Sequence, residues 1–208
     1  MKKILFLGNS HTYFENLPWL FQAVCMQKGV DVDVFMITFP GVEWNWHLKN
    51  LCTIPNIKNN GYDFVVMQQK SHPFDGAEAL IEQGMPLYNA VKSANSKPVF
   101  TATWSEKINP DGQKIIDDAF LQLHEKCADS LIAKCGTAWH LLRDKMDLYA
   151  DDGEHQNHKG AYLNACILAK TMFDIDPMTL PKQLFFDNKY IDLSESDFAI
   201  LQKTATEI

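Results

Sequence analysis

Four short apolar runs, each followed by a longer stretch of helical hydrophobic periodicity, constrain the fold of this chain more than any other feature. The runs are "KILFLG" (Lys3–Gly8), "VDVDVFMIT" (Val30–Thr38), "YDFVVMQQ" (Tyr62–Gln69) and "KPVFTATWS" (Lys97–Ser105). They are short, rich in β-branched and aromatic residues and bounded by turn or polar residues, as strands are. Between and after them, apolar residues recur at helical spacing. This pattern predicts helices over Asn16–Lys28, with Trp19, Leu20, Ala23 and Val24 on its apolar face, over Ala77–Ser93, and over Gly112–Lys134. A short aromatic helix follows the Pro40-Gly41 turn, and Gly84 and Pro86 predict a break or kink in the Ala77–Ser93 helix. Later elements are a strand over Thr137–Leu141, a helix over His158–Phe173 and a last helix over Glu195–Glu207, which Ser194 and Asp197 open as a capping box. Strands that alternate with helices, with nearly continuous apolar runs, imply a parallel sheet covered on both faces. The expected fold class is α/β: a three-layer α/β/α sandwich with a central parallel sheet of about five strands, flavodoxin-like in architecture. No repeat, linker or low-complexity tract divides the chain, so residues 1–208 are read as a single domain.

Composition excludes several functions. With 19 basic against 26 acidic residues the chain carries −7, which argues against a nucleic-acid partner. Neither a transmembrane run nor a basic amphipathic stretch points to a membrane. The start, Met1-Lys2-Lys3, imitates the charged end of a signal peptide, but the apolar run after it is too short. Five cysteines, an odd number with no CxxC pair, argue against a disulfide framework and suit a reducing compartment. A cytoplasmic location is the resulting expectation.

In a parallel sheet ligands bind outside the carboxyl ends of the strands. Attention therefore falls on Ser10, Gly41, Gln68 or Gln69, Trp104 and the late acidic loop. The turn "LGNSHT" admits two chemistries. Its N–H groups could cradle a phosphate, although both glycine-rich phosphate motifs are absent. Alternatively, it presents Ser10 as a nucleophile, which then needs a base, an orienting group and an oxyanion hole. The loop "DDGEHQNHKGAYL" offers Asp152 three residues before His155. That spacing lets the carboxylate fold back onto imidazole Nδ1 and leaves Nε2 facing outward. His155 and His158 could pair on a metal, but a third ligand at suitable spacing is missing. No metal or cofactor is expected.

The order of these blocks resembles the SGNH (GDSL-like) hydrolase superfamily, in a branch with GNS at the nucleophile turn. "LFLGNSHT" looks like the serine turn, "TFPGVEWNWHL" like the block whose glycine lines the oxyanion hole, and "DDGEHQNHKGAYLNA" like the D-x-x-H block. Two departures stand out: "VVMQQKSH" replaces GxND after the third strand, and Gln156-Asn157 replaces Pro-Ser after the histidine. The resemblance implies an esterase with Ser10, Asp152 and His155 catalytic. The oxyanion hole would be built by the N–H groups of Ser10 and Gly41 and the amide of Gln68, with Gln69 as the alternative. It implies a small-molecule or glycan ester substrate with a small acyl group such as acetyl. His11, His72 and Trp104 are the candidate substrate contacts. The alternatives left open are a non-catalytic binding protein of the same fold and a phosphate- or nucleotide-binding flavodoxin-like protein.

Overall fold

The computed structural model describes residues 1–208. In chain order it contains β1 (Lys2–Gly8), α1 (Ser10–Tyr13), a 3₁₀ turn (Phe14–Asn16), α2 (Leu17–Met26), β2 (Val32–Thr38), α3 (Trp44–Lys49) and α4 (Thr53–Asn59). There follow β3 (Phe64–Gln68), α5 (Gly76–Ser93), β4 (Lys97–Thr101), α6 (Gly112–Lys126), β5 (Leu131–Ala133), α7 (Cys135–Leu142) and α8 (His158–Phe173). A small hairpin, β6 (Phe185–Phe186) and β7 (Lys189–Tyr190), precedes α9 (Glu195–Glu207).

The central sheet has five parallel strands in the order β2-β1-β3-β4-β5. Its strands read as continuous apolar runs because both faces are covered. In β1, Ile4 and Phe6 enter one core with α2, α7, α8 and α9, while Leu5 and Leu7 enter the other with α5 and α6. β3 and β4 divide the same way: Val66 and Val99 face the first core, Val65, Met67 and Phe100 the second. The chain runs from β1 outward to β2, then returns past β1 to β3. That reversal opens a crevice at the carboxyl end of β1, where Ser10 follows.

Three local expectations need correction. The Gly112–Lys134 helix stops at Lys126, and Leu131–Ala133 is β5, the edge strand beside β4. The strand expected over Thr137–Leu141 lies inside α7. A three-residue apolar strand carries too little pattern to separate from a neighbouring helix, and Ala138, Trp139 and Leu142 are buried at helical spacing. α5 continues through Gly84 and Pro86 without interruption. Its buried face of Leu80, Gly84, Leu87 and Val91 packs along its whole length. That packing outweighs propensity costs of about 1 kcal/mol for Gly and about 3 kcal/mol for Pro. The expected capping box at Ser194 and Asp197 is present, with both reciprocal hydrogen bonds. All five cysteines are free, and only Cys52 is exposed. No helix is long and apolar enough to cross a membrane.

Candidate active site

Ser10 is held in a turn whose residues Asn9 and Thr12 are tied to Gln68 at the end of β3. Asn9 follows β1 and caps α1, its Oδ1 accepting from the His11 N–H at 3.0 Å. Its own N–H donates to Gln68 Oε1 at 2.9 Å, and its Nδ2 donates to the Val42 carbonyl at 3.0 Å. Thr12 Oγ1 also donates to Gln68 Oε1, at 3.0 Å. The buried imidazole of His47 lies with Nε2 3.1 Å from the Gly8 carbonyl, to which it donates. Gly8 is required by close approach: a Cβ there would overlap the Thr12 hydroxyl and Gln68 Oε1. Among the turn and loop hydrogen bonds, none uses the N–H of Ser10 or of Gly41 as donor. Gly41 turns the chain after β2 with φ +66°, a conformation that favours glycine.

Across the crevice, the loop before α8 folds Asp152 back onto His155. Asp152 Oδ1 accepts from the N–H groups of Glu154 and His155, both at 2.9 Å. Its Oδ2 lies 2.6 Å from His155 Nδ1, and His155 Nε2 lies 2.7 Å from Ser10 Oγ. A carboxylate only accepts, so Nδ1 carries the proton and Nε2 presents its lone pair to the Ser10 hydroxyl. Burial pushes the Asp152 carboxyl up, but the two N–H groups and the imidazole outweigh it and bring it down to about 2. The three side chains that the D-x-x-H spacing and the serine turn single out, Ser10, Asp152 and His155, are thus brought into one continuous line.

The imidazole of His155 is sandwiched between two rings. Phe14 stacks on one side at 4.0 Å and 20°, His11 on the other at 4.9 Å and 21°. His11 also touches His72 at 4.8 Å and Trp104 at 5.1 Å. Burial, followed by the neighbouring His72 and His155, lowers His11 to about 3. Burial, followed by His155, lowers His72 to about 4. Both therefore stand neutral beside His155 at neutral pH.

Two expectations about lining residues change. His11 and Trp104 are buried, 6% and 1% exposed, with His11 packed between His155 and Trp104, and so present no open surface to a substrate. The Trp104 indole N–H is spent on the Glu154 carbonyl at 2.8 Å. Only His72 borders open space, a cavity of about 250 Å³ shared with Ser71, Phe74, Ser105 and Asn109. The amides of both glutamines are engaged in the loops around the site. Gln68 Nε2 donates to the Gln69 carbonyl at 2.5 Å while its Oε1 holds the serine turn. Gln69 accepts from the N–H groups of Trp44 and Lys70 and donates to Gln83. Neither amide bonds to Ser10; both brace the loops around it. Phe14 carries no signal in the sequence, and its part is visible only once the loop before α8 lies against it. No group of three or more His, Cys, Asp or Glu side chains is arranged to hold a metal ion.

No known protein-family model matches the chain, and no curated protein matches it in sequence. Solved structures do match in fold. A DUF4886 family protein from Bacteroides uniformis ATCC 8492 superposes with a TM-score of 0.77 at 15% identity, covering 99% of this chain and 93% of its own. The psychrotrophic esterase EstA from Pseudoalteromonas sp., in a structure inhibited by monoethylphosphonate, matches at TM-score 0.66 and 16% identity, covering 84% of this chain and 98% of its own. A member of the lipolytic protein G-D-S-L family from Veillonella parvula DSM 2008 matches at TM-score 0.64 and 13% identity, covering 84% and 99%. With its five-stranded parallel sheet and helices on both faces, the chain has the fold of the SGNH (GDSL-like) hydrolases.

Proposed function

We propose that this protein is a serine hydrolase that cleaves an ester, with Ser10 as nucleophile, His155 as general base and Asp152 as the group that orients it. The observation that carries this reading is the unbroken line from Asp152 Oδ2 through His155 to Ser10 Oγ, with contacts of 2.6 and 2.7 Å. Such a line has a chemical use: Nε2 takes the hydroxyl proton as Oγ attacks the acyl carbon, and Asp152 stabilises the imidazolium that forms. The protonated His155 then gives that proton to the leaving alcohol. Water attacks the acyl-enzyme by the same route, releasing the acid and restoring Ser10. Backbone N–H groups of Ser10 and Gly41 are the donors we assign to the tetrahedral oxyanion, since neither is engaged elsewhere. Gln68, whose amide shapes the serine turn, is assigned a bracing role instead. The substrate class is an ester of a small acyl group such as acetyl, on a small-molecule or glycan alcohol. This follows the resemblance in the motif blocks.

The test is labelling with a fluorophosphonate. Attack by Ser10 Oγ forms an O–P bond, expels fluoride and passes the proton to His155. Mass spectrometry should find the adduct on Ser10, and the adduct should vanish in Ser10→Ala and nearly vanish in His155→Ala. An unlabelled, folded wild-type protein would overturn the hydrolase reading in favour of a non-catalytic binding protein of the same fold.

A further inference from the structure

The two residues that flank His155 in the chain are each pinned by the same buried circuit. Before it, the Glu154 carbonyl accepts from the Trp104 indole at 2.8 Å. After it, the Gln156 side chain, fully buried, donates from Nε2 to the Phe14 carbonyl at 2.7 Å. Gln156 Oε1 accepts from Asn164 Nδ2 at 2.8 Å, and Asn164 Oδ1 accepts from the Trp139 indole at 2.9 Å. Trp139 lies flat against Trp104, with ring centroids 4.0 Å apart and planes 7° apart. Asn164 is fully buried and Trp139 is 2% exposed.

This circuit reaches the nucleophile as well as the base. Phe14, whose carbonyl receives the Gln156 amide, donates its N–H to the Ser10 carbonyl, and its ring stacks on His155. Gln156 is therefore a direct hydrogen-bonded tie between the serine-bearing turn and the histidine-bearing loop, which are 145 residues apart in sequence. Asn164 orients the Gln156 carboxamide: its Nδ2 must meet Oε1, so Nε2 is turned to Phe14.

We infer that Gln156, oriented by Asn164, is a positioning residue that sets the separation of His155 Nε2 and Ser10 Oγ. The inference rests on the proposed roles of Ser10 and His155, and it adds a residue that acts through them without touching substrate. A buried carboxamide with both ends engaged is costly to disturb. Displacement of reacting atoms by about 1 Å can cost about 10²-fold in rate.

The experiment compares wild-type protein with Gln156→Leu, which keeps volume and removes both hydrogen bonds. Three quantities are read on protein shown to be folded by circular dichroism. They are the rate of fluorophosphonate labelling, kcat and KM on p-nitrophenyl acetate, and the low-field proton resonance of the His155 Nδ1–H. Labelling and kcat should fall by about 10- to 100-fold, KM should stay within about twofold, and the resonance should shift or broaden. Should Gln156→Leu fail to fold, Trp139→Phe removes the N–H that holds Asn164, together with part of the ring stacked on Trp104, and should give the same changes at smaller amplitude. Wild-type labelling rate and an unmoved resonance in a folded variant overturn the inference, as does a loss confined to KM. If wild-type protein itself is not labelled, the hydrolase reading falls. The resonance then decides the positioning role by itself.

Discussion

Asp152 stands nearly half exposed, yet its carboxyl is held down to about 2 because two backbone N–H groups and an imidazole converge on it. It therefore stays ionised across the pH range in which an esterase assay runs. Its role in the proposed mechanism is to fix the tautomer of His155. Asp152→Asn keeps the shape of the loop but lets an amide N–H face Nδ1, favouring the tautomer that points a proton at Ser10. We expect kcat to fall by about 10³–10⁴-fold with an unchanged thermal midpoint, measured by steady-state hydrolysis of p-nitrophenyl acetate and by calorimetry. A loss below about tenfold would show that Phe14 and His11, by stacking on both sides, hold the ring without the carboxylate. Much of this residue pair was legible in the sequence. A three-residue spacing in a Gly-containing loop suffices for a carboxylate to reach its own neighbour's imidazole. Which glutamine serves the site was not legible, because Gln68 and Gln69 differ only in what the adjoining loops bring to them.

α8 begins where the His155 loop ends, so its first turn is both a helix cap and a part of the site. Asn157 Oδ1 accepts from the N–H groups of Lys159 and Gly160, and Nδ2 donates to the carbonyls of Asp147 and Tyr149. One side chain thus caps the helix and stitches it to the strand-like segment opposite the loop. Asn157→Ala should destabilise the protein by about 1–2 kcal/mol, read as a shift in urea midpoint with unchanged slope. Native stability in that variant would mean that the Ala161 N–H bond to the Asn157 carbonyl and the packing of α8 are enough. Elements of this length announce themselves in sequence through periodicity and caps, as α6, α8 and α9 do. β5 and α7 do not: a run of three apolar residues followed directly by an eight-residue helix fits either period.

At the scale of the whole molecule, three histidines are folded away in neutral form. Burial lowers His11 to about 3 and His47 to about 4, and burial together with His155 lowers His72 to about 4, from an ordinary value of 6.5. Unfolded chains take up these protons as pH falls through 6.5, and the folded protein does not. The stability these groups supply is present above pH 6.5 and drains away as pH falls toward 4. Each histidine engaged in this way contributes a slope of about 1.4 kcal/mol per pH unit. The urea midpoint should therefore drop steadily between pH 6.5 and 4.5. His47→Gln, which can still donate to the Gly8 carbonyl, should flatten that slope by about one proton. A midpoint independent of pH over this window would rule out the neutral, buried histidines.

Periodicity and composition determined the layered α/β fold, the parallel sheet and the strand ends at which a site would lie. These are local consequences of strand and helix repeats and of runs buried on both faces. The serine turn and the Asp152–His155 spacing made Ser10, Asp152 and His155 candidates, and the resemblance of the motif blocks singled them out. Only the tertiary structure decided what holds them. The reversal of strand order beside β1 makes the crevice, the Gln68 amide closes the serine turn, and Gln156 joins that turn to the histidine loop. These depend on hydrogen bonds between groups 59 and 142 residues apart. Long-range contacts of that kind leave no periodic trace in a sequence, because either partner alone is only a buried polar residue.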